Sequence, residues 1–211
     1  MFAPFDVFMK ITAWPVNLFI FRPKITYEDK RIQNRRIRGK AIVICNHHSV
    51  YDFGVMMFVF PLRRLRCQVA EVVYRQSPVL RILLKLWGTV KVNRTDHDFS
   101  FLAESLRILE KGGVLEIYPE ARIPEPEEKK PLEFTPSFVW LALHSGSPVI
   151  PVYSDGRIFT LKRNRIVIGK PIDAVSMYND SLDEKTNIMN ITRAIRNKVL
   201  ELGETVEKKE T

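Results

Sequence analysis

His47 and His48 stand side by side just after the apolar run Ala41–Cys45, with Asn46 before them and Asp52 a few residues beyond. An imidazole with a carboxylate in reach is a general base, because the carboxylate fixes the tautomer and stabilises the imidazolium that forms. No G-x-S-x-G signature accompanies the pair. The chemistry it suits is therefore direct deprotonation of an acceptor group, without a covalent intermediate. The chain holds only four histidines, and two of them adjacent at a strand end favour chemistry over packing for at least one. The competing reading makes one of them a satisfied structural residue.

Two further groups leave apolar runs in the same way. In Gly88-Thr89-Val90-Lys91-Val92-Asn93-Arg94, period-two alternation puts Lys91 and Asn93 on one face, with Arg94 at the strand end. A guanidinium there suits bidentate phosphate binding. In Tyr118-Pro119-Glu120-Ala121-Arg122, Glu120 is placed to orient an acceptor hydroxyl and Arg122 to hold an anion. Taken singly, each of these charges is as well explained by an ordinary solvated loop.

Such residues need a scaffold that delivers strand ends to one edge. From residue 41 onward, short β-branched runs alternate with helix-like patterns, which predicts an α/β fold with a mostly parallel central sheet flanked by helices. Strands are expected at Ala41–Cys45, Cys67–Val73, Thr89–Val92, Val114–Tyr118 and Val149–Tyr153, and a hairpin from Arg157–Leu161 and Arg165–Ile168. Ligands bind beyond the carboxyl ends of strands in open sheets of this kind. Asp98 is expected to cap a helix carrying Leu102, Leu106 and Leu109, ended by Gly112 and Gly113. Thr135-Pro136 opens another helix that ends at Gly146, and a capping box of Ser181 and Glu184 opens a last one ending at Gly203. Residues 119–131 are proline- and glutamate-rich and read as a surface loop.

The chain of 211 residues, 45% hydrophobic, is long enough for one α/β domain and too apolar to be disordered. Cys45 and Cys67 sit in apolar surroundings and read as reduced core thiols, and no Cys or His spacing suggests a metal site. The net charge of +9 is uneven: residues 1–100 hold 17 Lys and Arg against 7 Asp and Glu, and the remainder is nearly neutral. The cations cluster at Lys30, Arg31, Arg35, Arg36, Arg38 and Lys40 and again at Arg63, Arg64, Arg66, Arg75, Arg81 and Lys85. Such a field attracts a polyanion, whether nucleic acid, an anionic membrane or a phosphorylated substrate.

The first 21 residues contain 15 apolar side chains, five of them Phe, broken by Pro4, Asp6, Lys10 and Pro15. The uncharged stretch Ile11–Phe21 is 11 residues, against the roughly 20 a spanning helix needs. An aromatic, proline-broken segment leading into a basic run is suited to lying in the headgroup region of a bilayer. Residues 1–35 are thus expected as an amphipathic, membrane-associating helical segment, 36–205 as the catalytic domain and 206–211 as a frayed tail.

Taken in order, the motifs resemble those of the glycerophospholipid acyltransferase family, typified by 1-acyl-sn-glycerol-3-phosphate acyltransferases. The family's N-H-x4-D is similar to Asn46-His47…Asp52 and its G-x-x-x-x-x-R strand to Gly88…Arg94. Its F-P-E-G-T-R resembles Tyr118-Pro119-Glu120, its V-I-P-V block Val149–Val152, and its G-x-P-I Gly169–Ile172. The resemblance implies transfer of a fatty acyl group from acyl-CoA or acyl carrier protein to a hydroxyl of a lysophospholipid-like acceptor, lysophosphatidic acid first, on the cytoplasmic face of a membrane. By that analogy His47 is the base and Asp52 its orienting carboxylate. Asn46, Lys91, Arg94, Glu120 and Arg122 serve substrate, with no metal or resident cofactor. Ala121 and Arg122 depart from the family's Gly-Thr, and Ile123 occupies the place of its arginine.

Two other readings compete. His47-His48-x3-Asp52 also satisfies the H-H-x3-D pattern of chloramphenicol-acetyltransferase-like enzymes, in which His48 is the base, although Phe53 stands where that motif has glycine. A non-enzymatic membrane-binding module would leave the histidines idle. No nucleic-acid-binding pattern accompanies the basic residues, so the expected partners are an anionic membrane surface, an acyl thioester donor and the lysophospholipid acceptor.

Overall fold

The computed structural model describes residues 4–93, 99–125, 127–128 and 131–207. The chain opens with helix α1 (Pro4–Thr12), the short turn α2 (Trp14–Val16) and a π-helical turn over Asn17–Phe21. It continues through β1 (Lys24–Tyr27), β2 (Ala41–Cys45), α3 (Asp52–Val59), β3 (Leu65–Ala70), α4 (Glu71–Arg75), α5 (Pro78–Trp87) and β4 (Val90–Val92). Then follow α6 (Ser100–Glu110), β5 (Val114–Ile117), α7 (Ser137–Ser145), β6 (Val149–Ser154), β7 (Arg165–Ile168) and the long α8 (Glu184–Glu207).

The strands form one seven-stranded sheet in the order β1-β7-β6-β2-β5-β3-β4. Only the β6–β7 pair is antiparallel. Every residue of β2 and β5 is buried, as a strand covered on both faces requires. On one face Val43, Cys45, α3 and the N-terminal turns form a core around Phe58, Phe60 and Phe21. On the other, Ile42, Ile44 and Leu115 pack beneath α6, α7 and α8. Burial of aliphatic side chains on this scale contributes about 1.5–3 kcal/mol each.

Several sequence expectations are corrected. The run Cys67–Val73 is a strand only as far as Ala70, because its partner β4 ends at Val92 and leaves nothing for Glu71 to pair with; Glu71–Arg75 coils into α4 instead. Arg157–Leu161 is not a strand: Gly156 and Phe159 have φ of +69° and +60°, which turn the chain away, and Arg165–Ile168 pairs antiparallel with β6 and parallel with β1 in place of a hairpin partner. Helix α8 begins at Glu184 and is capped by Asp183 rather than Ser181, since the Asp183 carboxylate accepts the Thr186 N–H at 3.0 Å. It runs past Gly203, where the absent side chain lets the Tyr153 ring lie against the helix. Strand β1 was not anticipated; it falls inside residues 1–35 and ties that segment to the sheet by pairing with β7. The expected cap Asp98 lies outside the described residues.

Many of the N-terminal cations terminate helices. Arg35 donates to the Val59 and Phe58 carbonyls at the end of α3 (3.0 and 2.6 Å). Arg64 does the same for Trp87 and Leu86 of α5 (3.0 and 2.7 Å). Lys40 reaches Ser145 of α7, and Arg63 reaches Gly112 beyond α6 at 2.7 Å. The last carbonyls of a helix lack intrahelical partners and carry its negative dipole end, so a guanidinium or ammonium there answers both needs.

Candidate active site

Strand β2 ends at Cys45, and the next residues form the floor of the site. Asn46 is buried and pinned to β6: its amide donates to the Ser154 carbonyl at 2.9 Å and accepts the Ser154 N–H at 2.8 Å. The same Nδ2 lies 2.7 Å from His48 Nε2, which is itself 2.9 Å from the Ser154 carbonyl, so Asn46, His48 and Ser154 form one polar cluster. The His48 ring fills the space above Gly156, where a Cβ would collide with the imidazole.

His47 points the other way. Its Nδ1 lies 2.7 Å from Asp52 Oδ2, and the same oxygen accepts the backbone N–H groups of His48 and Ser49 at 2.7 and 2.9 Å. Asp52 is the first residue of α3 and is buried, where the positive end of the helix dipole favours a carboxylate. Three donors on one oxygen fix its orientation. Asp52 thus engages Nδ1 of His47 and leaves Nε2 as the ring nitrogen on the side away from it.

Strand β5 supplies the wall. The Tyr118 ring stacks on the His47 imidazole, with centroids 4.4 Å apart and planes at 26°. Its hydroxyl donates to Oε1 of Glu116, two residues back on the same face of β5, while Oε2 of Glu116 has no partner. Burial pushes the Glu116 carboxyl well above the ordinary carboxylate range; the Tyr118 hydrogen bond opposes this and the nearby Asp52 charge adds to it. Burial at Glu116 thus favours the neutral acid over the carboxylate. Burial likewise raises the Cys45 and Cys67 thiols, which makes them unreactive packing residues.

Glu120 follows Pro119 at the end of β5 and bridges backbone. Its Oε1 accepts the His47 N–H at 2.8 Å and its Oε2 the Leu132 N–H at 2.9 Å. Burial raises its carboxyl above the ordinary carboxylate range, and these two hydrogen bonds oppose the rise only in part. Glu120 thus ties the backbone of His47 to that of Leu132.

Residues 24–155 match the profile of the family described as Acyltransferase. The chain belongs to that family. It is 25% identical over 154 residues to a 1-acyl-sn-glycerol-3-phosphate acyltransferase of Cocos nucifera, which covers 71% of this chain and 47% of the relative. The chain thus spans about half the length of that curated relative. The crystal structure of the 1-acyl-sn-glycerophosphate (LPA) acyltransferase PlsC from Thermotoga maritima superposes with a TM-score of 0.64 at 18% identity, over 94% of this chain and 78% of the other. The shared fold is the α/β sheet described above.

Of the residues singled out from sequence, the fold brings together Asn46, His47, Asp52 and Glu120, but gives Glu120 backbone partners rather than an open face. Lys91 stands apart: it lies on the edge strand β4, separated from β2 by β5 and β3, with its ammonium 3.3 Å from Glu71. Arg122 turns outward as well, its guanidinium forming a two-pronged pair with Glu128 on the surface. Arg94 lies outside the described residues. Ala121 adopts φ +65°, the left-handed conformation for which the family's motif carries glycine. Beside it a cleft of about 280 Å³ is lined by Val92, Phe99, Phe101, Ile117 and Tyr118. Among the described residues no cluster of His, Cys, Asp or Glu is arranged to hold a metal ion.

Ser154, Tyr118 and Glu116 were not anticipated as parts of the site. One signal for the last two was present: a glutamate inside the otherwise apolar run Val114–Tyr118 needs a partner on its own face, and residue 118 is on it.

Proposed function

We propose that the chain transfers a fatty acyl group from a thioester, acyl-CoA or acyl carrier protein, to a hydroxyl of a lysophospholipid-like acceptor, with lysophosphatidic acid the first candidate. The observation that carries this reading is the 2.7 Å contact between His47 Nδ1 and Asp52 Oδ2 at the carboxyl end of β2, which leaves Nε2 as the base. His47 Nε2 takes the acceptor's hydroxyl proton as that oxygen attacks the thioester carbonyl carbon. The tetrahedral intermediate collapses with cleavage of the C–S bond, and the imidazolium returns the proton to the leaving thiolate. Asp52 stabilises the imidazolium between the two transfers. The step needs neither an acyl-enzyme nor a metal.

His48 is the weaker candidate for the base, because its Nε2 is held within the buried cluster of the Asn46 amide and the Ser154 carbonyl. The apolar residues of α1 and the following turns, Phe8, Ile11, Trp14, Leu18 and Phe19, are exposed and support peripheral association with the cytoplasmic face of an anionic membrane. Among the described residues no helix is long and apolar enough to cross a membrane.

The test is thiol release from a panel of acyl-CoA and acyl carrier protein donors, with lysophospholipids of differing headgroup presented in anionic vesicles and products identified by mass spectrometry. A new ester on lysophosphatidic acid, lost in His47→Ala, supports the reading. Turnover that survives in His47→Ala and vanishes in His48→Ala refutes the assignment of the base. Vesicle binding with no turnover on the whole panel favours the membrane-binding module.

A further inference from the structure

Helix α5 has two apolar faces, and the fold uses one. Leu84 is buried and Leu80, Leu83 and Trp87 are partly covered, so the inner stripe is satisfied. Yet Val79, Ile82 and Leu86, at i, i+3 and i+7 on the outside, are 64%, 57% and 49% exposed. A helix that packs by a single stripe carries polar residues on its opposite face. Here the outer apolar stripe runs beside a basic one, Arg81 and Lys85, and neither cation has an ion-pair or hydrogen-bond partner among the described residues. Val72 on the preceding α4 adds a further exposed aliphatic side chain.

We propose that α4 and α5 form a second lipid-docking surface, with Val72, Val79, Ile82 and Leu86 seated among the acyl chains of an anionic bilayer and Arg81 and Lys85 on its headgroup phosphates. The proposal rests on the reading of the chain as a peripheral membrane acyltransferase and adds a contact outside the N-terminal segment. Charge and position select the occupant. An apolar stripe flanked by cations is the pattern of a helix lying in a membrane interface. The face is also continuous with the exposed aromatic segment, because α1 packs on α5 through Phe5 and Trp87, whose rings meet edge to face at 5.9 Å. Helix α5 leads through Gly88 directly into β4, so a membrane held there lies at the end of the sheet next to the Lys91 strand.

The test uses the full chain with single cysteines at Phe8, Ile82 or Met189, each labelled with an environment-sensitive fluorophore. Cys45 and Cys67 are buried and the unsubstituted chain serves as the labelling blank. Met189 is an exposed position on α8 and is the control. Vesicles of phosphatidylcholine, with and without phosphatidylglycerol, are added, and depth is read by quenching with brominated lipids. The expected result is a blue shift and quenching at 8 and 82 but not at 189, and a loss of affinity for anionic vesicles of about tenfold or more in Arg81→Glu/Lys85→Glu. A label at 82 that stays unchanged while the label at 8 responds overturns the α5 surface and leaves the N-terminal reading standing. If neither responds, both fail. A shift at 82 that follows protein concentration without lipid identifies a self-association face and also overturns the proposal.

Discussion

The ring of Tyr118 lies on the imidazole of His47, 4.4 Å from centroid to centroid, while its hydroxyl is anchored behind it on the buried Glu116. One side chain thus couples the catalytic face of the sheet to a polar group in the core. The two ends are separable by mutation, because the stack needs the ring and the anchor needs the hydroxyl.

Tyr118→Phe keeps the stack and leaves the Glu116 carboxyl wholly unpaired. Chemical denaturation is expected to register a loss of about 1–3 kcal/mol, the cost of an unsatisfied buried polar group, with kcat changed by no more than a few-fold. The double variant Tyr118→Phe/Glu116→Met removes both partners and is expected to recover most of that loss. A double variant less stable than Tyr118→Phe contradicts the pairing.

Glu116 also sets a pH dependence. Its folded-state pKa is raised by burial, so above the ordinary carboxylate range the unfolded chain has lost a proton that the folded chain keeps. The protein binds more protons folded than unfolded in that window. Stability relative to a Glu116→Gln variant therefore falls as pH rises from about 4.5 toward the raised folded value, by at most about 1.4 kcal/mol per pH unit. Denaturant titrations of both proteins across this range give the slope directly, and parallel curves would show that Glu116 ionises normally.

For the reaction, Asp52→Asn is expected to lower kcat by about 10²–10⁴-fold with little change in KM, because the amide neither fixes the Nδ1–H tautomer nor stabilises the imidazolium. His47→Ala should be at least as severe. His48→Ala should retain turnover, with any loss arising through Asn46. Steady-state thiol release ranks the three variants, and a ranking with His48→Ala lowest refutes the role given to His47.

Ala121→Gly is expected to stabilise. An L-residue in the left-handed region costs about 1–2 kcal/mol, and the extra freedom of an unfolded glycine takes back about 0.5–1 kcal/mol. The net gain is about 1 kcal/mol or less, visible as a higher urea midpoint. A lower midpoint would mean that the Ala121 methyl packs against the adjoining cleft strongly enough to outweigh its backbone strain.

The sequence by itself determined the central strands and the pairing of His47 with Asp52. Ala41–Cys45 and Val149–Tyr153 are short apolar runs rich in β-branched residues, the pattern of a strand covered on both faces. His47 and Asp52 meet across a single strand end and the first turn of α3, so their contact depends on local chain geometry. What the tertiary structure decided is everything that depends on distant partners. β1 exists because β7 offers an edge to Lys24–Tyr27; Glu71–Val73, β-branched and apolar enough to be a strand, becomes helix because β4 has ended. The surplus of basic residues divides the same way: Arg35, Lys40, Arg63 and Arg64 are drawn to carbonyls at helix ends, while Arg81 and Lys85 face outward. A charge in a sequence has a sign but no address, and whether it terminates a helix, pairs with an acid as Arg122 and Lys91 do, or meets a membrane depends on which unsatisfied group the folded chain brings within hydrogen-bonding distance.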